Sequence, residues 1–240
     1  MPVENLDQSF YVDIRSHNAR RLLRERTYEP DVIELIRQHI RPDRDFIDVG
    51  ANVGFVSIFA ATFLNEGKRV LAVEPTPRAL ELLNRNTSLH NLSEKILIEN
   101  VVATERRVDA IPMFVLEGKE EYSSVEGIRH PEVNGETPTE IKVKGCPIDE
   151  LVTTHGLEPG FIKVDTEGHE ASVFAGAERT LREHAPVIIS EISDRLLSKH
   201  GGSQSIIETL KSYGYQVYDA KSPNSAPRFP FEGEIFAIKP

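Results

Sequence analysis

Two short stretches of this chain combine residue types that rarely meet by composition alone. The first is Asp48-Val49-Gly50-Ala51-Asn52-Val53-Gly54, followed twenty residues after Gly54 by Glu74-Pro75. The second is Asp165-Thr166-Glu167-Gly168-His169-Glu170, with Glu191 and Asp194 further on. Gly50 and Gly54 allow a tight turn and close backbone approach to a ligand. An acid such as Glu74 at the next strand end can accept the hydroxyls of a ribose. Asp165, Glu167, His169 and Glu191 are side chains that could take a proton from a weakly acidic group. Glu167 and Glu170 also suit a helix start, where the macrodipole favours acids whether or not they react.

The surrounding pattern supplies elements to position them. Phe46 to Val49 reads as a short buried strand, Phe55 to Leu64 as an apolar helix, and Arg69 to Val73 as a second strand. Pro77 to His90 is a second helix with proline in its first turn, and Ile96 to Ile98 a third strand. After residues 103–145 the rhythm resumes with a strand at Phe161 to Asp165, a helix at Ser172 to His184 and a strand at Val187 to Glu191. A helix at Ser205 to Tyr213 and strands at Gln216 to Tyr218 and Glu234 to Ile238 complete the chain. Strands alternating with helices predict right-handed βαβ units and an α/β fold with a mainly parallel sheet. The last two strands, joined by a Pro-rich loop without a helix, predict one late antiparallel strand. Residues 1–28 are read as an N-terminal helical arm on one domain spanning 29–240, and 103–145 as an inserted β-hairpin or lid. Asp31 to Ile40 has helical spacing ahead of Pro42.

In an open parallel sheet the ligand crevice lies at the carboxyl ends of the strands, where strand order reverses. A dinucleotide site prefers G-x-G-x-x-G, whose second glycine admits a pyrophosphate. Here the loop reads D-x-G-x-N-x-G, with Asp48 at the strand end. An acid suits the ammonium of a methionine moiety better than a pyrophosphate, so the pattern favours S-adenosylmethionine over a nicotinamide dinucleotide.

The run from Asp45 to Gly54, Val73 to Pro77 and the block Phe161 to Glu170 together resemble the FkbM family of methyltransferases. Leu80, Leu83, Asn84 and Asn86, Ser123-Ser124, and Gly176-Ala177 with Leu181 match the same pattern, over about residues 28–215. The resemblance implies a Rossmann-like class I methyltransferase fold of seven strands and transfer of a methyl group to a hydroxyl, typically on a sugar or polyketide. It also implies Glu74 at the ribose, Asp48 with Gly50 at the methionine portion and the stretch of Asn100 and Val101 beside adenine, with Ala51, Asn52, Gly54 and Pro75 completing the cofactor site.

Composition narrows the partners. The formal charge of −10, from 28 basic and 38 acidic residues, would repel a phosphate backbone, so nucleic acid is not expected as acceptor. Five arginines between Arg15 and Arg26 read as a solvated helix face. Base N-methyltransferases usually carry an Asn/Asp-Pro-Pro-aromatic tetrapeptide after the fourth strand, where this chain has Asp165-Thr166-Glu167-Gly168. A catalytically silent cofactor-binding module remains an alternative. One cysteine, Cys146, cannot form an intramolecular disulfide, and a cytoplasmic protein with no leader and no membrane span is expected. Asp165 and Glu191 could cradle Mg²⁺, but their spacing does not require it, and metal-independent catalysis is the expectation.

Overall fold

The computed structural model describes the chain apart from residues 129, 131–132, 134, 198–200 and 223–224. An inner strand of its main sheet is β3 (Asp45–Val49), where alternate residues point to opposite faces. Phe46 packs in one layer with α2 (Pro30–His39) and α3 (Phe55–Ala61); Ile47 and Val49 pack in the other. Flanking it are β4 (Val70–Val73) and β5 (Ile96–Glu99) on one side, with α4 (Pro77–Leu89) crossing between them. On the other side lie β9 (Pro159–Val164) and β10 (Val187–Ser193). Then come β12 (Glu232–Ile238) and, at the edge, β11 (Gln216–Asp219).

The seven-stranded order is β11-β12-β10-β9-β3-β4-β5, and β12 alone runs against the rest, as the helix-free connection predicted. This is the Rossmann-like class I methyltransferase arrangement. Strand order reverses between β3 and β9, which puts a crevice at their carboxyl ends.

Two expectations need correction. The helix expected over Ser172 to His184 is broken into α6 (Glu170–Ala175) and α7 (Glu178–Glu183). Gly176 lies at the break because a Cβ there would stand 2.0 Å from the Thr104 carbonyl oxygen. The Asp149 carboxylate starts the second piece by accepting from the Arg179 and Thr180 N–H groups at 2.9 and 2.7 Å. Asp149 belongs to α5 (Ile148–His155), a helix that the reading of the sequence passed over.

The insertion is also more than a hairpin. Its antiparallel strands β7 (Val108–Val115) and β8 (Thr139–Cys146) are joined by β6 (Val102–Ala103), parallel to β8, in a separate three-stranded sheet. Residues 1–28 hold a small hairpin, β1 (Pro2–Val3) with β2 (Gln8–Ser9), ahead of α1 (His17–Glu25). The buried Asn86 amide ties this segment to α4, accepting from Tyr11 N–H at 2.6 Å and donating to the Tyr11 carbonyl at 3.0 Å. The remaining helices, α8 (Asp194–Leu197) and α9 (Gly202–Ser212), cover the β10 side. Among the described residues no helix is long and apolar enough to cross a membrane.

Candidate active site

The loop after β3 is held by short-range geometry. Gly50 and Ala51 N–H groups donate to the Val73 carbonyl at 2.9 and 3.1 Å, pinning the turn to the end of β4. Gly50 has φ +78°, and a Cβ on it would lie 1.9 Å from the Asp165 carbonyl oxygen; only glycine lets the two strand ends meet this closely. Asn52, with φ 49°, donates its N–H to Glu74 Oε2 at 2.8 Å. Glu74 Oε1 accepts the Thr76 N–H and hydroxyl at 2.8 and 2.6 Å. Oε1 is thus filled, while Oε2 keeps one accepting position. Burial raises the Glu74 pKa, against the hydrogen bonds from Thr76 and Asn52.

Behind this loop, β9 contributes a buried lysine. Lys163 Nζ lies 3.1 Å from Asp165 Oδ2 and 3.9 Å from Asp48 Oδ1. Burial works against its charge, but Asp165, Asp48 and Glu29 outweigh it and hold its pKa above the ordinary lysine value. Asp48 shares the face of Phe46, so its carboxylate points between sheet and α3, where the Ser57 hydroxyl donates to it at 2.6 Å. It is fully buried, and burial raises its pKa.

At the carboxyl ends of β9 and β10 the acids crowd together. Glu167 adopts a left-handed backbone, φ 52°, and burial and then Asp165 drive its pKa well above the usual range. Glu191 stands at the exposed side of the cluster, yet the Asp165 charge and then burial raise its pKa to about 8. Glu29, φ 35°, is raised to about 7, chiefly by burial. Glu170 has a structural role, its Oε1 accepting from Thr166 N–H, Thr166 hydroxyl and Gly168 N–H at 3.1, 2.8 and 3.1 Å. Asp194 likewise fastens a loop, accepting from Ser203 N–H at 2.8 Å and Phe231 N–H at 2.5 Å.

These ends open into a cavity of about 1100 Å³, open solvent at its mouth included. Gly50, Asn52, Glu74, Pro75 and Val101 line it on the β3–β4 side. Asp165, Glu167, His169 and Glu191 line the β9–β10 side, so nine of the thirteen residues expected there converge. The other four do not. Asp48 is behind the wall, Ala51 and Gly54 are buried in the loop and Asn100 is exposed, all outside the lining. Gly54 serves packing instead, a Cβ there falling 2.6 Å from the Leu83 side chain. The helix that follows it, α3, is seven residues long and buried along its whole length.

Of the residues that roof the cavity, sequence reasoning named only Ser123, in the insertion read as a lid. Asn18, Arg21, Tyr28 and Glu29 come from the N-terminal segment, and Met113, Tyr122 and Ser123 from the insertion. Lys163 was also missed, although a lysine inside an otherwise apolar strand signals a buried charge with a partner.

A profile of the methyltransferase FkbM domain matches residues 48–217, most of the chain. The protein belongs to this family. Among curated relatives, the hexuronic acid methyltransferase AglP of Haloferax volcanii is 26% identical over 168 residues, 70% of this chain and 64% of its own length. The 31-O-demethyl-FK506 methyltransferase FkbM of Streptomyces tacrolimicus is 24% identical, over 85% of this chain and 83% of its own. The crystal structure of methyltransferase FkbM from Methylobacillus flagellatus shares the fold at 19% identity and a TM-score of 0.52. It is matched by 98% of this chain but over only 58% of its own length, so this FkbM-family chain spans less than two thirds of both AglP and that structure.

Proposed function

We propose that this FkbM-family protein transfers the methyl group of S-adenosylmethionine to a hydroxyl of a sugar, polyketide or similar small molecule. The carrying observation is the charge of the cavity at the strand-order switch. Seven Asp and Glu side chains line it, and Lys163 lies buried behind the wall. A cofactor bearing a sulfonium and an ammonium against one carboxylate fits such a wall; the pyrophosphate of a dinucleotide does not. The free accepting position on Glu74 Oε2 suits one ribose hydroxyl, and Pro75 and Val101 offer apolar flanks for adenine. The relatives named for methylating a hexuronic acid and 31-O-demethyl-FK506 support a hydroxylated acceptor.

When bound, the cofactor supplies an electrophilic methyl carbon for in-line displacement. This chain has to hold an acceptor oxygen roughly 3 Å from that carbon and remove its proton. Asp165 is engaged by Lys163, so its charge acts on its neighbours: it makes the Glu191 carboxylate more basic than an ordinary one. Glu191 and Glu167 are therefore the candidate proton acceptors, with His169 beside them. No step requires a metal ion, because the proton acceptor is already tuned by a neighbouring charge.

Calorimetric titration with S-adenosylmethionine, S-adenosylhomocysteine and NAD tests the reading, followed by turnover on a panel of hydroxylated acceptors. Binding of the two sulfur ligands but not NAD, with methyl transfer to oxygen that survives EDTA, is the expected outcome. Preference for NAD, or binding without turnover on the whole panel, would refute it. Activity lost to EDTA and restored by Mg²⁺ would overturn the metal-independent part alone.

A further inference from the structure

The roof of the cavity carries a charge that the proposed reaction has not used. Arg21 is the only Lys or Arg side chain among the described residues that line the cavity, against a wall of carboxylates. Its neighbours Arg20 and Arg24 face solvent, as the arginine-rich run predicts. Arg21 does not follow them. It stands one helical turn after Asn18, and both side chains look into the cavity.

The helix is held in this rotation by the insertion. Glu121 Oε1 accepts the Ser16 hydroxyl at 2.9 Å and the His17 N–H at 2.7 Å, at the start of α1. His17 Nδ1 shares a hydrogen bond with the Tyr122 hydroxyl at 2.8 Å, and Arg15 donates to Glu117 at 3.1 Å. Helix and insertion thus form one roof, and Arg21 hangs from it. The ion-pair partner of Arg21 is Glu25, 3.5 Å away on the same helix, where both side chains are about 40% exposed (41 and 44%). A pair so open to water holds the guanidinium weakly.

We infer that Arg21 binds the carboxylate at the amino-acid end of the cofactor, making the N-terminal segment part of the cofactor site. This rests on the methyl-transfer reading above. That carboxylate is the cofactor's one anionic group and has to settle in a cavity lined by seven Asp and Glu side chains and a single guanidinium. A guanidinium fork is the side chain that meets a carboxylate bidentately, and here it is placed once. A carboxylate on the acceptor is the other source of the same chemistry, and the two sources are separable.

The test compares two ligands on the full chain by calorimetry. S-adenosylhomocysteine carries the amino-acid end; methylthioadenosine shares the adenosine and thioether but lacks it. Arg21→Ala should weaken adenosylhomocysteine binding roughly 10- to 100-fold and leave methylthioadenosine within about twofold, the range for a charged hydrogen-bonded pair. Arg21→Lys should restore part of the loss, and Arg20→Ala should change neither ligand. Equal loss on both ligands, or no loss on either, would overturn the inference. So would unchanged binding of both with a raised KM for the acceptor, which would assign Arg21 to the acceptor. A wild-type chain that binds neither adenosine ligand would instead sink the methyl-transfer reading beneath it.

Discussion

The protonation of Glu191 should set the pH dependence of the proposed methyl transfer. An ordinary glutamate titrates near 4.5; beside the Asp165 charge Glu191 titrates at about 8. It is then about one-tenth ionised at pH 7 and about nine-tenths ionised at pH 9, a roughly tenfold change in the form able to accept a proton. Binding of a cationic cofactor favours the same form. kcat/KM for the cofactor, which reports ionisations of the uncomplexed enzyme, should therefore rise close to tenfold between pH 7 and 9, with an inflection near 8. Glu29, raised to about 7, should add a lower inflection.

Substitution separates the two. Glu191→Gln freezes the neutral form, so the upper inflection should vanish while the lower one stays, and the rate at pH 9 should fall at least about 100-fold. Asp165→Asn removes the leading cause of the shift and should move the inflection downward. Stability offers a second readout. The folded-state pKa is raised, so its contribution is complete below the unfolded value of about 4.5 and is lost as pH rises through about 8. Melting temperature should therefore fall with pH across this window, and fall less in Glu191→Gln. A profile flat from pH 7 to 9 in the wild type, or an inflection near 8 surviving in Glu191→Gln, would refute the reasoning.

Other perturbations read other parts of the site. Glu74→Ala should weaken S-adenosylmethionine binding by about 1.5–3 kcal/mol, the range for hydrogen bonds to a charged acceptor; an unchanged Kd in calorimetry would mean the ribose is held elsewhere. Gly50→Ala puts a Cβ at φ +78° and 1.9 Å from a backbone oxygen that cannot swing away. Left-handed strain and overpacking together should cost about 2–5 kcal/mol, visible as a lowered melting temperature; a wild-type melt would contradict the close approach. Lys163→Met leaves fully buried Asp48 and neighbouring Asp165 without their cation and should cost about 3–5 kcal/mol in urea unfolding at pH 7. The deficit should shrink as pH falls, because the Asp48 pKa is raised and the protonated acid needs no partner; equal losses at pH 5 and 7 would argue against the ion pair.

What was legible in the sequence depended on how local each cause is. The turn from β3 to β4 and Glu74 could be read because glycines, strand and acid fall in one βαβ unit. The site at the end of β9 could be read for the same reason. The break between α6 and α7 could not, because its causes, the Thr104 carbonyl and the Asp149 carboxylate, are remote in sequence. Asp48 shows a different failure. Strand alternation sets it on the face of Phe46, under α3, so the side chain expected to meet the ligand instead anchors Lys163 from behind. Arg21 and Glu29 were invisible because only the docking of the N-terminal segment onto α4 and the insertion turns them inward.

Backbone strain gathers at the same place as the charge. Glu29, Asn52 and Glu167 all line the cavity and all have left-handed φ, a conformation unfavourable for a residue with a Cβ. Such residues cost about 1–3 kcal/mol each and persist only where the surroundings fix them. Each has its anchor here: the Glu29 carbonyl accepts the Ile33 N–H of α2 at 3.0 Å, and the Asn52 N–H is held by Glu74. The Glu167 carbonyl accepts the Ser124 hydroxyl at 2.9 Å, while Glu170 grips the residues on either side of it. Carboxylates pushed together and then locked cannot relax away from one another. Glu191, largely protonated at pH 7 beside the Asp165 charge, is therefore already in position when it ionises, which spares reorganisation during reaction. The Asp165 charge makes Glu191 basic, and under the proposed reading it would equally draw a sulfonium to the point where the proton has to leave.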